Sequence, residues 1–227
     1  MLRKALCSTI IAAIAATAAC RPGAGNDPSA LAEGEAAIAA LEEQIAAGGP
    51  DAYVYHEMLA AQLTKAQRTE EAKLQYREAL RLRPETGAVY LELSRLEART
   101  GDYDEAVAVA AEGVRRAPEN PRLRSWYGEV LMKRGRGAEA EEVLRQTLEL
   151  ADAGAYPRYV LGLVYLNDGK LEQARDELEA ATELEANAHE AWYQLANVCE
   201  RLGDVEGRDR ALREFARLYR LRLGSGG

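Results

Sequence analysis

Ala155-Tyr156-Pro157-Arg158-Tyr159-Val160-Leu161-Gly162-Leu163-Val164-Tyr165-Leu166-Asn167-Asp168-Gly169-Lys170-Leu171-Glu172-Gln173-Ala174 is the stretch whose reading decides the fold. Tyr159, Gly162, Leu163, Tyr165 and Leu166 give one amphipathic helix over Ala155–Asn167. Gly169 stands at its end, where it can take the positive φ of a helix C-cap. A second helix follows over Leu171–Glu185. The small residues Gly162 and Ala174 let the two helices approach closely. The pattern is therefore a helix, a tight turn and a helix returning.

The same unit recurs on both sides with a step of 34 residues. Ala72, Ala106, Ala140 and Ala174 lie on that lattice, as do Gly101, Gly135, Gly169 and Gly203. Leu59, Leu93, Leu161 and Leu195 form another column with Tyr127 in its middle slot. Gly128 and Gly162 share a column of small residues with Ala60, Ser94 and Ala196. Asp102 and Asp204 follow their glycines as N-caps. Pro84 and Pro118 stand where the second helix of a unit must stop. Fixed self-similarity of this length is the mark of a stacked repeat architecture.

In detail the repeat resembles the tetratricopeptide repeat, a helix–turn–helix of 34 residues. The family's Trp-like column reads His56, Tyr90, Arg124, Arg158 and Trp192, and its Tyr column reads Leu63, Glu97, Leu131, Tyr165 and Cys199. The next two columns of the second helix read Tyr76, Ala110, Leu144, Leu178, Leu212 and Ala79, Gly113, Thr147, Ala181, Phe215. Glu97, and Arg208 in the Ala column, depart from the family pattern. The resemblance implies an all-α, right-handed superhelix, an α-solenoid of about five repeats. The repeats fall at about 53–86, 87–120, 121–154, 155–188 and 189–222, within a solenoid spanning 31–223. Leu31–Ala47, with Leu31, Ile38, Leu41 and Ile45, reads as an extra N-terminal helix, and 224–227 as a disordered tail.

Composition agrees with an all-helical protein, since Ala, Leu, Glu and Arg, all strong helix formers, dominate. The chain has 227 residues, 48% hydrophobic, with 29 Lys and Arg against 37 Asp and Glu and a formal charge of −8. That acidic balance argues against nucleic acid, whose phosphates call for a clustered basic surface. Three cysteines are too few for a disulfide scaffold.

The first residues read as an address. Arg3 and Lys4 precede an uncharged run from Ala5 to Cys20, the layout of a signal peptide over 1–19. Thr17-Ala18-Ala19-Cys20 resembles the lipobox of bacterial lipoproteins, with Thr17 where that family carries an aliphatic residue. The resemblance implies diacylation of Cys20 and membrane attachment through the lipid. The alternative is ordinary cleavage and a soluble periplasmic protein. Residues 20–30 are rich in Gly and Pro and suit a tether. Arg21 beside the cysteine favours the outer membrane, by resemblance to the enterobacterial sorting rule. Loss of 1–19 leaves 27 basic against 37 acidic residues and Cys199 without a disulfide partner.

Catalytic chemistry is not expected. His56 and His189 fall in different units, as a packing and a solvated residue, and Glu141-Glu142 reads as a solvated face. No Gly-rich phosphate loop, CxxC or HExxH occurs, so no metal or cofactor is anticipated. What remains are the groove positions of the first helices, which the family resemblance supplies. They include Arg122 and Glu129 in the third unit; Tyr156, Tyr159, Leu163 and Leu166 in the fourth; and Tyr193 and Asn197 in the fifth. The fourth unit is more aromatic than a solvated surface needs, and aromatic side chains are favoured interface anchors. The alternative is that a neighbouring helix, or the C-terminal helix folding back, covers them. Asn197 fits one slot of the carboxylate clamp that some members use, but Glu57, Leu91, Ser125, Tyr159 and Tyr193 stand where its Lys would be. The expected role is a non-enzymatic scaffold for envelope proteins or peptides. The chain is similar in layout to tetratricopeptide lipoproteins of type IV or tight-adherence pilus assembly and secretin targeting. It is equally similar to adaptors of peptidoglycan hydrolases or outer-membrane assembly.

Overall fold

The computed structural model describes residues 28–185 and 188–224, and among them every element is a helix. The expected signal peptide, Cys20 and most of the tether lie outside the described residues, as do residues 225–227 of the expected tail. The described residues form eleven helices: α1 Pro28–Ala47, α2 Ala52–Lys65, α3 Thr69–Leu82, α4 Gly87–Arg99, α5 Tyr103–Arg116, α6 Pro121–Lys133, α7 Gly137–Leu148, α8 Tyr156–Asn167, α9 Leu171–Leu184, α10 His189–Leu202 and α11 Val205–Gly224. α1 begins at Pro28, inside the stretch expected as tether. Proline is well placed there, because the first turn of a helix needs no N–H from it.

The chain divides into two compact units at Leu82/Arg83. In the first, α1 packs on α2 and α2 on α3. Ile38 and Leu41 of α1 are buried with Leu59, Ala60 and Leu63 of α2 and Ala72, Tyr76 and Ala79 of α3. In the second unit each helix packs on the next from α4 to α11, and α4, α6, α8 and α10 also touch in series. This is the stacking of a solenoid, in which each hairpin meets only its neighbours.

The repeat columns explain the hairpins physically. Ala72, Ala106, Ala140 and Ala174 are each the fourth residue of their helix and each fully buried. A Cβ on Gly128 would meet Leu144 Cγ at 2.6 Å, and one on Gly162 would meet Leu178 Cγ at 2.7 Å. The first helix therefore lies directly on the Leu of the second, and any side chain there would push them apart.

The turn is equally regular. Gly101, Gly135, Gly169 and Gly203 all have positive φ, between 75° and 89°. The following N–H reaches back to the Tyr-column carbonyl: Asp102 to Glu97 at 3.0 Å, Arg136 to Leu131 at 2.8 Å, Lys170 to Tyr165 and Asp204 to Cys199 at 2.9 Å. This is the Schellman closure, which satisfies a carbonyl at the helix end. The first hairpin makes the same bond, Arg68 to Leu63 at 2.9 Å, but through Gln67 at φ 61°. Asp102 and Asp204 act as N-caps, accepting from Glu105 N at 3.1 Å and Gly207 N at 2.9 Å.

Several polar residues are drawn wholly or partly into the packing. Glu141, expected on a solvated face, has a side chain only 24% exposed and is held by Tyr165 Oη at 3.0 Å, Arg145 at 3.0 Å and Lys170 at 3.3 Å. Burial pushes its carboxyl up, but these three donors outweigh it and hold it below its ordinary range. Ser94 Oγ donates to Ala106 O and accepts from Trp126 Nε1, both at 2.7 Å. Cys199 is buried and free.

A candidate partner-binding cleft on α6, α8 and α10

Among the described residues of the second unit, two neighbouring clefts share a wall. The larger, about 460 Å3, is lined by Glu129 of α6, Tyr156 and Tyr159 of α8, the α9 end at Ala181 and Glu185, and the start of α10 at His189 and Glu190. The smaller, about 290 Å3, is lined by Tyr159, His189, Glu190, Tyr193 and Gln194 with Phe215 and Tyr219 of α11. Tyr159, His189 and Glu190 border both.

Helix geometry places these side chains. Tyr156 and Tyr159 are three apart on α8 and share a face, their rings stacked at 6.3 Å. The Tyr156 hydroxyl donates to Glu129, whose other oxygen takes Lys133 Nζ at 2.7 Å. Lys133 in turn lies 5.7 Å from the Trp126 ring, with Arg95 at 5.3 Å. Burial, with the Glu129 carboxylate beside it, raises the Tyr156 phenol well above its ordinary value. The same two causes, with Glu190 added, raise Tyr159. Both rings therefore present neutral hydroxyls and apolar faces to whatever enters.

Of the residues expected along the groove, the structure brings Glu129, Tyr156, Tyr159 and Tyr193 to these clefts. Leu163 is half-buried, and Arg122 and Asn197 are exposed away from the cleft walls. Leu166 is buried at 8% exposure, at the α8 end where Arg201 of α10 reaches its carbonyl at 3.5 Å. His189, expected to be solvated, is half-buried and stacks on Phe215 at 6.4 Å.

The wall outside the expected groove positions is α11, weighed from the sequence as a helix folding back over the tyrosines. Phe215 lies 5.4 Å from Tyr193 and 5.8 Å from Tyr219, so the C-terminal helix shapes the slot while Tyr193 stays 53% exposed. A signal was present, for Phe215 is the one large residue in a column otherwise holding Ala79, Gly113, Thr147 and Ala181. Among the described residues no group of His, Cys, Asp and Glu is arranged to hold a metal ion.

No curated protein matches the chain. Solved structures do. PilF of Pseudomonas aeruginosa is 22% identical, with a TM-score of 0.66 covering 79% of each chain. PilW, a widely conserved type IV pilus biogenesis factor, is 16% identical, with a TM-score of 0.66 covering 74% of this chain and 78% of its own. YrrB, a tetratricopeptide protein with an unusual peptide-binding site, is 22% identical, with a TM-score of 0.58 covering 79% and 92%. At these identities the likeness is one of fold. Tetratricopeptide repeat models match residues 58–121, 99–162 and 159–222. With buried alanines, left-handed turns and hairpins recurring on one lattice, the chain belongs to the tetratricopeptide repeat family.

Proposed function

We propose that the protein is a non-enzymatic scaffold of the bacterial cell envelope that holds segments of partner proteins in the clefts of α6, α8 and α10. The carrying observation is an aromatic wall left open to solvent: Tyr193 is 53% exposed beside Phe215, Tyr159 and Tyr219. Solvent-facing aromatic clusters rimmed by polar groups mark interaction sites. Family membership supports a binding role, because repeat surfaces of this kind exist to present a concave wall.

The envelope setting rests on the first twenty residues and on likeness to PilF and PilW. On this reading Cys20 carries the lipid, residues 21–27 serve as a tether, and the scaffold faces the periplasm from the outer membrane. Its service is to pilus assembly or secretin targeting. Among the described residues no helix is long and apolar enough to cross a membrane.

The test has two arms. The mass of the mature N-terminus expressed in a diderm bacterium should show acylated Cys20; cleavage without acyl mass would make the protein a soluble periplasmic scaffold. Cross-linked partners should be lost on replacing Tyr159 and Tyr193 by Ala. If they are retained, the groove reading fails; if they are peptidoglycan hydrolases or outer-membrane assembly factors, the pilus role fails.

A further inference from the structure

Resting on that groove reading, we propose that the occupant is an extended partner segment that sets a large apolar side chain beside a Lys or Arg. The shape argues for the apolar part. The slot of about 290 Å3 is walled by Tyr159, Tyr193, Phe215 and Tyr219. It lies at the low end of the range for ligand sites, roughly 300–1,000 Å3. A space of that size takes one or two side chains, and the neighbouring cleft across Tyr159 continues the path.

Charge argues for the cation. Glu129, Glu185 and Glu190 stand in the walls, and no Lys or Arg is among the described lining residues of either cleft. Glu129 is shared with Lys133, which sits on the Trp126 side, and Glu190 lies 2.9 Å from His189 Nδ1. Glu190 remains 61% exposed. A cation in the cleft would meet carboxylates and the negative faces of the tyrosine rings together. A partner's acidic segment or terminal carboxylate would meet repulsion and no Lys or Arg donor from the lining.

Phe215 argues against the other occupant, a further repeat or second copy stacked on α11. Its column is buried in the earlier units of the stack: Thr147 and Ala181 are fully buried, and a Cβ on Gly113 would strike both Tyr90 of its own hairpin and Leu123 of the next. A hairpin docking in the same way on α11 would collide with the Phe215 ring. The residue closes the stack and gives its ring to the slot.

The probe is a pair of synthetic peptides, one alternating Lys with Leu and Phe, its twin carrying Glu for each Lys. Binding to the full chain is measured by calorimetry. The Lys peptide should bind at least about tenfold tighter than the twin, and Glu185→Gln with Glu190→Gln should weaken it about tenfold. Both carboxylates are exposed, so the far-ultraviolet dichroism of that variant should match the parent. Equal affinity for the two peptides, tighter binding of the Glu twin, or binding of neither overturns the cationic occupant. If both bind alike and both are lost on Tyr159→Ala with Tyr193→Ala, the groove stands and only the charge preference falls. If the Lys peptide binds that variant unchanged, the groove reading falls with it.

Discussion

Phe215 and Tyr193 meet at a centroid distance of 5.4 Å with their planes tilted by 50°. Their contact joins the last second helix to the last first helix on the open side of the hairpin. In the earlier hairpins of the same unit that column stays small and buried at Gly113, Thr147 and Ala181, and at Gly113 the next helix brings Leu123 close. At Phe215 the ring instead turns toward Tyr193 and Tyr219.

Tyr193→Ala separates binding from folding. The side chain is 53% exposed, so the change should cost less than about 1 kcal/mol of stability. Partner capture should nevertheless fall by about tenfold or more, as expected for an aromatic anchor. Urea unfolding and quantitative pull-down on the same preparation check the pair of outcomes. A large stability loss with unchanged capture would assign Tyr193 to packing.

Gly162→Ala does the reverse. Its new Cβ would lie 2.7 Å from Leu178 Cγ and 3.0 Å from Cδ2, with the Ala174 carbonyl at 3.4 Å. Overpacking of this kind costs about 1–3 kcal/mol. The measured midpoint of urea unfolding should drop accordingly, and Gly128→Ala against Leu144 should behave alike.

Gln67→Gly should stabilise the chain. Gln67 holds φ 61°, on the column where Gly101, Gly135, Gly169 and Gly203 make the same turn. A left-handed non-glycine residue costs about 1–2 kcal/mol. The extra freedom of glycine in the unfolded chain takes back about 0.4–1 kcal/mol. The net expectation is a gain of about 0.5–1 kcal/mol in thermal or urea unfolding.

Glu141 gives an acid limb to stability. Its carboxyl is held below its ordinary value of 4.5 by Tyr165, Arg145 and Lys170, which outweigh burial. The folded value is therefore lower than the unfolded one. The contribution is present above 4.5 and disappears as pH falls through the lower folded value. The difference in urea midpoint between the parent and Glu141→Gln should be constant near pH 7 and shrink as pH is taken progressively below 4.5. An unchanged difference across that range would remove Glu141 from the acid response.

Much of this fold is written locally. A helix hairpin needs a periodic apolar face, a residue that accepts positive φ at the turn, and small residues where the backbones close. Gly169, Gly162 and Ala174 carry all three in a single stretch, and repetition makes the signal redundant. The helix faces of Tyr156, Tyr159 and Tyr193 were legible for the same reason, since a repeat fixes which face each position occupies.

The polar interior was less legible. Glu141 looks like a surface acid along its own helix, and only the approach of Tyr165 and Lys170 from the next hairpin makes it a half-buried hub. Sequence spacing places a residue on a face of its helix; it does not say which partners another hairpin brings over that face.

The amino-acid order alone determined the helix pairs, their turns and the column that each side chain occupies, because these depend on contacts within 34 residues. Tertiary structure alone decided that Phe215 and Tyr219 join Tyr159 and Tyr193 in one slot with Glu190, and that Leu166 is closed over. The physical reason is that side chains far apart in the chain meet only when successive hairpins stack, and the stack sets which faces stay open to a partner.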